Sequence, residues 1–379
     1  MHRIAIDYTP AIEQSGGIGR YARELTAALA ALDKDKAYRL FVAGADSVAL
    51  PPAPSPNFLW RPTAISPRWL ARIWHRARLP LPVELFTGKV DLYHATDFVL
   101  PYTRPSTRTL LTVHDLSFVR VPEAASPPLK AYLDAVVPRS VERADHVLAD
   151  SFATKDDLVD LYKTPADKIT VLYSGVDQRF RRVSQQSALE SARAKYGLAD
   201  FRYLLSVGTV QPRKNYSRVI RALAELRASG LDLHYAIAGA KGWLEGEMQR
   251  TIASSGMEDF VHLLGYVDDE DLPALYSDSR MLLMPSLYEG FGLPILEAMA
   301  CGVPVITSKI SSLPEVAGDA AILIDPADTA ELRDAMLAVE TDTKLREQLV
   351  QNGYGQAEKF SWQRSAAQLL SVYKSMLAD

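Results

Sequence analysis

Both halves of this 379-residue sequence repeat one alternation, in which short runs of β-branched and aliphatic residues precede longer stretches with helical spacing. Such alternation is typical of βαβ units, which assemble into parallel sheets covered by helices. It predicts strands near 3–7, 39–43, 92–94, 109–114, 146–149, 203–207, 233–238, 261–264, 281–284 and 304–307. It predicts helices near 18–32, 154–161, 216–229, 245–255, 269–277, 294–300, 331–337 and 362–377. The sequence therefore predicts an α/β protein with two Rossmann-like, doubly wound parallel sheets that face each other across an interdomain cleft.

The length also favours two domains, because single hydrophobic cores stop growing at about 250–300 residues. The pattern changes near 175–199, where Gln, Ser and Arg replace strand-like residues. We predict an N-terminal domain over 1–180, a C-terminal domain over 181–360, and a final helix over 361–379 that packs back toward the first domain.

Charge and cysteine content exclude several classes of protein. The net charge of −4 argues against nucleic acid as a partner. Residues 1–184 contain 24 Lys and Arg against 20 Asp and Glu, whereas the remainder contains 18 against 26, so the first half is the more cationic. A single cysteine, Cys301, excludes an internal disulfide framework and fits a reducing compartment. Neither a signal peptide nor a membrane-spanning apolar run is recognisable, so we expect a cytoplasmic protein.

The most informative motif lies between the strand predicted near 281–284 and the helix predicted near 294–300. Its glycines let the backbone approach a ligand closely, and the free amides at the start of a helix favour an anion such as a phosphate. Its two carboxylates flank this loop and are suited to accept hydrogen bonds from sugar and ribose hydroxyls. The alternative is a helix cap with a solvated glutamate. The candidate binding residues are Glu289, Gly290, Phe291, Gly292, Leu293 and Glu297.

A second motif runs from Gly208 to Asn215, again between a predicted strand and a predicted helix. Two adjacent cations at such a turn, Arg213 and Lys214, suit a diphosphate, because arginine forms a fork and lysine a point charge. The alternative is a solvated surface pair. Gly208, Arg213 and Lys214 are therefore candidate donor-binding residues.

Two further candidates lie in the first half. Gly16 and Gly17 open a helix after the first strand, but their spacing differs from that of a dinucleotide-binding fingerprint. His114 lies at the carboxyl end of a predicted strand, where α/β proteins place site residues, and Asp115 is a candidate to orient it. A structural histidine is the alternative.

Together these motifs resemble the retaining glycosyltransferases of family 4, whose fold is called GT-B. The resemblance covers nearly the whole chain and rests on Glu289 and Glu297 as a Glu-x7-Glu signature, and on 300–306, 311–316 and 318–321. It is closest to bacterial mannosyltransferases of surface polysaccharide assembly. It implies that the N-terminal domain serves the acceptor and the C-terminal domain binds a nucleotide-sugar donor.

The resemblance also implies residue roles. Glu289 contacts the transferred sugar and Glu297 the donor ribose, while the loop with Gly16 and Gly17 closes over the donor phosphates. His114 contacts the hexose near its 6-hydroxyl. The implied catalytic residues are Glu289, His114, Arg213 and Lys214.

The segment around Val267 and Asp269 is placed by the resemblance beside the nucleotide base. A carboxylate accepts both the ring N–H and the amino group of guanine, which favours a guanosine donor. The alternative is a solvated helix start, since acidic residues are favoured in first turns.

A short basic segment, Arg68 to Arg78, has helical spacing with Trp69, Leu70, Ile73 and Trp74 on one predicted face. Such a helix can lie on an anionic membrane, which would make the protein peripheral at the inner membrane face. Equally, its tryptophans can pack on the first domain.

The resemblance implies a retaining hexosyltransferase that needs no cofactor and no metal and uses a nucleotide diphosphate sugar as co-substrate. We predict mannose transfer from GDP-mannose to a glycan or lipid-linked glycan. The alternatives are a UDP-sugar-dependent transferase, a nucleotide-sugar epimerase on the same fold, or a non-catalytic nucleotide-sugar-binding protein.

Overall fold

The structure is a computed structural model that describes residues 1–45, 50–240, 242 and 246–378. The chain forms two compact units. The first comprises Met1–Val119, Pro127–Gly175 and Ser361–Asp379, and the second comprises Arg120–Ser126 and Val176–Phe360.

Each unit is built on one parallel sheet. The first sheet has the strand order β3-β2-β1-β4-β5-β6-β7, and the second has the order β10-β9-β8-β11-β12-β13. The strands of the first are β1 Arg3–Asp7, β2 Ala37–Ala43, β3 Phe58–Thr63, β4 Leu92–Ala95, β5 Arg108–Val113, β6 His146–Ala149 and β7 Ile169–Val171. Those of the second are β8 Tyr203–Val207, β9 His234–Ala238, β10 Val261–Gly265, β11 Leu282–Met284, β12 Val305–Ser308 and β13 Ile322–Ile324. The strand order therefore reverses between β1 and β4 in one unit and between β8 and β11 in the other, which is where such sheets bind ligands.

Helices connect the strands. In the first unit they are α1 Thr9–Glu13, α2 Gly17–Leu32, α3 Pro67–Ala71, α4 Glu84–Thr87, α5 Ser117–Arg120, α6 Pro127–Arg143, α7 Phe152–Tyr162 and α16 Trp362–Leu377. In the second they are α8 Gln186–Lys195, α9 Tyr216–Ala228, α10 Gly246–Ser254, α11 Leu272–Asp278, α12 Leu293–Ala300, α13 Leu313–Ala317, α14 Thr329–Thr341 and α15 Thr343–Ala357. No helix in these described parts of the chain is both long and apolar enough to cross a membrane.

The core of the second unit explains why its pattern was readable. In α9, Val219, Leu223 and Leu226 recur at helical spacing and are buried against β8 and β9. The strands themselves are almost wholly buried, as expected for a parallel sheet covered on both faces.

The last helix completes the first unit. α16 packs against α2, and its buried Tyr373 hydroxyl lies 2.8 Å from Nδ1 of His94. A β-carbon on Gly175 would lie 2.1 Å from the backbone nitrogen of Trp362, so glycine lets the two segments approach this closely.

Several elements were not predicted. Three strands, β3, β7 and β13, were missed, as were the long helices α6 and α15. β7 and β13 have only three residues each, and α6 contains Pro138, which ordinarily interrupts a helix. The helix predicted near 245–255 is observed at Gly246–Ser254, and residue 245 lies outside the described residues.

Candidate functional site

Two loops of the second unit meet at the reversal of strand order. One follows β8 and contains Arg213 and Lys214, and the other follows β11 and contains Glu289. Because β8 and β11 are neighbours in the sheet, their carboxyl ends place these loops side by side. The amide of Leu287 donates a 2.7 Å hydrogen bond to the carbonyl of Arg213, which joins the two loops directly.

The centre of this site is a carboxylate held by two cations. Oε2 of Glu289 lies 2.5 Å from Nη1 of Arg213, and Oε1 lies 2.7 Å from Nζ of Lys214. Glu289 and Lys214 are both buried. Burial opposes ionisation of Glu289, but the charges of Arg213 and Lys214 outweigh it and lower its pKa to about 2. The site therefore contains one carboxylate and two cations at neutral pH.

Glycine at position 208 is required by this packing. Its φ of +145° is unfavourable for other residues, and a β-carbon there would lie 3.1 Å from Cε of Lys214. Asn215 then ends the cationic turn, and its side chain donates to the carbonyls of Pro285 and Pro326. Gly208 thus lies against Lys214, as the assignment of both to one site requires.

The glycine loop leads into α12. Gly292 occupies the position before the helix with φ +120°, and it has no side chain to cap the first amides. Gly290 and Phe291 precede it and are buried, and Leu293 begins the helix. The positive end of α12 therefore begins directly beyond Glu289.

Two serines that were matched only as part of a family motif hold this loop. Ser312 Oγ donates to the carbonyls of Glu289 and Phe291 at 2.9 and 2.8 Å, and the amide of Glu289 donates to Ser311 Oγ at 3.1 Å. Their role depends on a contact more than twenty residues away along the chain, which spacing alone does not reveal.

Glu297 is separated from this ion cluster by its partner. It is buried on α12, and Oε2 accepts a 2.8 Å hydrogen bond from the hydroxyl of Tyr276. The two glutamates of the signature are thus held by different groups, as separate roles would require.

Val267 and Asp269 follow β10 at the edge of the sheet, away from the reversal between β8 and β11. Val267 is buried, and Oδ2 of Asp269 lies 3.4 Å from Nη1 of Arg179. The structure therefore pairs Asp269 with Arg179, a cation that the sequence did not single out, rather than with Arg213 or Lys214.

In the first unit, His114 has both ring nitrogens engaged. Nδ1 lies 2.8 Å from Oδ2 of Asp150, and Nε2 lies 2.8 Å from the carbonyl of Thr96. Asp150 is therefore the carboxylate that orients His114, and the expectation for Asp115 was wrong. Asp115 instead accepts a hydrogen bond from the amide of Ser117 at the start of a helix.

Gly16 and Gly17 stand at the exposed start of α2, where Gly16 occupies the position before the helix. A β-carbon on Gly16 would meet no atom within 4 Å, whereas one on Gly19 would lie 1.8 Å from the carbonyl oxygen of Gln14. Gly19 is thus the glycine that close packing demands. The closely spaced glycines of this loop signalled it, although only Gly16 and Gly17 were selected.

The basic segment splits into two faces. Leu70 and Trp74 are buried, but Trp69 is 57% exposed, with the Arg72 guanidinium 4.7 Å from its ring centre. The prediction of one shared apolar face was wrong. Successive helical residues lie about 100° apart, so the first unit covers the row of Leu70 and Trp74 and leaves the neighbouring row outside.

Comparison with known proteins gives the class. Residues 15–180 match the family model described as Glycosyltransferase Family 4, and residues 190–356 match that of Glycosyl transferases group 1. The sequence is 32% identical over 372 residues to O-antigen chain mannosyltransferase B of Escherichia coli, covering 94% of this chain and 96% of that protein.

Solved structures show the same fold. Sucrose-phosphate synthase from Thermosynechococcus elongatus aligns over 100% of both chains with a TM-score of 0.77 and 22% identity. Alr3699/HepE of Anabaena, solved with UDP and glucose, aligns over 99% of this chain and 100% of that chain, with a TM-score of 0.74 and 20% identity.

The two doubly wound sheets and these matches define a glycosyltransferase with the GT-B fold. The chain belongs to the glycosyltransferases of family 4. It is a hexosyltransferase by class.

We predict that His114 is a doubly protonated imidazolium at neutral pH. Burial disfavours its charge, but the charge and hydrogen bond of Asp150 outweigh burial and raise the pKa to about 9. A raised pKa stabilises the fold fully below the ordinary histidine value, and this contribution is lost as the pH rises through about 9. Nitrogen-15 NMR of the ring should therefore show titration near pH 9.

Replacement of the partner provides the control. Asp150→Asn should lower the pKa of His114, whereas Asp115→Asn, which removes a carboxylate bonded to the Ser117 amide, should leave it unchanged. An ordinary pKa for His114 in the unaltered protein would show that Asp150 does not stabilise the charged ring.

Proposed function

We propose that this glycosyltransferase moves mannose from GDP-mannose, with retention of configuration, onto a glycan or lipid-linked glycan in polysaccharide assembly. The observation that supports this most is the buried cluster of Arg213, Lys214 and Glu289 at the reversal of strand order. The printed name of the Escherichia coli relative, an O-antigen chain mannosyltransferase, supports both the sugar and the kind of acceptor.

In this proposal the two cations serve the donor diphosphate. With no donor bound, Arg213 and Lys214 neutralise Glu289. A diphosphate brings more negative charge than one carboxylate, so it competes for the same cations. The start of α12 provides additional positive potential for the phosphates. Stabilisation of the departing diphosphate by these groups is then the main source of catalysis.

Glu289 serves the sugar. Its low pKa keeps it ionised, so its oxygens accept hydrogen bonds from hexose hydroxyls once the cations turn to the phosphates. No side chain is assigned as a nucleophile. The leaving diphosphate itself helps to remove the proton of the acceptor hydroxyl as the new glycosidic bond forms on the same face of the sugar.

Further donor contacts belong to the same proposal. Glu297 binds the ribose, and Val267 and Asp269 lie beside the base, where the Asp269 carboxylate suits guanine. The amides at Gly16 and Gly17 take donor phosphates. For His114 to donate to the hexose 6-hydroxyl, its Nε2–H must leave the Thr96 carbonyl.

The donor is tested by a thermal-shift panel of GDP, UDP, ADP and their sugars. A ligand that binds only the folded protein raises its melting temperature, so GDP and GDP-mannose should give the largest shifts. Lys214→Ala should reduce the GDP shift, whereas Arg221→Ala, which removes an exposed cation paired with Glu247, should not. A larger shift with UDP or ADP would reject the guanosine assignment.

Catalysis is tested by transfer kinetics with radiolabelled donor. Arg213→Ala and Lys214→Ala should each lower kcat/KM by about 100-fold or more, equivalent to a loss of about 3 kcal/mol of transition-state stabilisation. We propose that no metal is needed, so the rate should be unchanged in excess chelator. Near-normal transfer by either variant, or abolition by chelator, would contradict the assigned roles. Epimerised donor in the absence of acceptor would indicate an epimerase instead.

We also propose peripheral contact with an anionic membrane through the exposed row of the basic segment. Trp69 projects outward beside Arg72, the combination that favours an anionic bilayer surface.

Co-sedimentation with phosphatidylglycerol vesicles tests this contact. Trp69→Ala should weaken binding by about five-fold, or about 1 kcal/mol. Tyr266→Ala, which removes an equally exposed aromatic ring from the second unit, is the matched control. Equal binding to phosphatidylcholine and phosphatidylglycerol vesicles would exclude an electrostatic membrane contact.

A further inference from the structure

The first unit contains a cavity of about 410 Å³ that the donor site does not use. It lies at the reversal of strand order in the first sheet, because Asp7 ends β1 and Asp97 follows β4. Its volume is within the range of about 300–1,000 Å³ that is usual for small-molecule sites.

The cavity wall is acidic. Three carboxylates, Asp7, Glu13 and Asp97, line it, and neither lysine nor arginine is among its described lining residues. Asp7 Oδ1 accepts from the Thr9 amide at 3.0 Å, and Asp97 Oδ2 accepts from the Gln14 side chain at 2.9 Å, so both hydrogen bonds come from uncharged groups. Burial raises the pKa of Asp7 to about 6 and also raises that of Asp97.

Nearby cations offset only part of this charge. Exposed Arg68 acts on Glu13, and His114 acts on Asp97 but is already paired with Asp150. His75 lines the cavity, but burial and the charge of Arg143 lower its pKa to about 4, so it is neutral at physiological pH.

The rest of the wall is aromatic and aliphatic. Trp74, Phe98 and Tyr132 contribute rings, and the indole N–H of Trp74 is donated to the Leu81 carbonyl at 2.7 Å. Flat apolar rings beside a few hydrogen-bond acceptors suit a sugar, which has an apolar C–H face and hydroxyl groups that donate.

We propose that this cavity binds the terminal sugar of the acceptor glycan and selects an uncharged sugar over a phosphorylated one. This inference rests on the proposed function, since it specifies the acceptor of the same reaction. Hydroxyls of a neutral sugar donate to Asp7 and Asp97, whereas a phosphate group would place further negative charge beside carboxylates in a partly buried wall.

Calorimetric binding of two matched probes tests the selection. The probes are p-nitrophenyl α-D-mannopyranoside and the same compound with a 6-phosphate. The neutral probe should bind at least ten-fold more tightly. Equal or tighter binding of the phosphorylated probe, or binding of neither, would overturn the proposal.

Variants of the wall locate the effect. Asp97→Asn should weaken the neutral probe and narrow the ratio between the probes by about five-fold, whereas Asp134→Asn, which alters an exposed carboxylate paired with Lys130, should change neither. Leu129→Lys adds a cation at a lining residue that is 42% exposed, so it should favour the phosphorylated probe without disturbing the fold. Leu32→Lys, at an exposed position outside the lining, is its control. An unchanged ratio in both wall variants would show that the probes bind elsewhere.

The two proposals fail in different ways. GDP binding, measured in parallel, depends on residues of the second unit. A protein that binds GDP but shows no preference between the probes contradicts only the acceptor inference. A protein that prefers the neutral probe but binds no nucleotide contradicts the proposed function and leaves the selectivity of the cavity established.

Discussion

The pairing of one carboxylate with two cations, Glu289 with Arg213 and Lys214, is the interaction on which the donor loops depend. Removing a charged group from water costs several kcal/mol (~) unless an opposite charge accompanies it, so neither loop holds its charge at this depth alone. The three charges leave an excess of one positive charge before any ligand arrives. Backbone and side-chain bonds from Leu287, Asn215 and Ser312 fix the loops, so the cations need little reorganisation to meet a phosphate.

The fold was largely predictable from the sequence because buried parallel strands produce distinct apolar runs, and each predicted strand is observed. The candidate site was predictable only as loops. Parallel strands place their carboxyl ends on one edge, so glycines and charges after β8 and β11 could be grouped, but the ion pairs could not. Glu289 and Arg213 are 76 positions apart, and His114 selects Asp150 over the adjacent Asp115 because neighbouring strands bring 114 and 150 together. Sequence proximity favoured the wrong carboxylate.

The two units respond to pH in opposite directions. Glu289 has a depressed pKa of about 2, so its contribution is present above the ordinary glutamate value and is lost as the pH falls toward 2. His114 has a raised pKa of about 9 and loses its contribution in the alkaline range. Around neutral pH both clusters are intact. Each unit therefore has one charged cluster at the end of its strands, and the window of pH that keeps both is set by a carboxylate on one side and a histidine on the other.

Net charge conceals a difference within the first unit. The first half of the sequence has more cations than carboxylates, which suggests an anionic partner. Yet its exposed arginines, such as Arg68 and Arg72, lie outside the cavity wall, whereas Asp7 and Asp97 line it. A basic exterior and an acidic cavity serve different partners: the first suits an anionic bilayer and the second an uncharged sugar. An acceptor that consists of a neutral glycan on an anionic lipid carrier satisfies both, because its sugar end and its lipid end meet opposite charges.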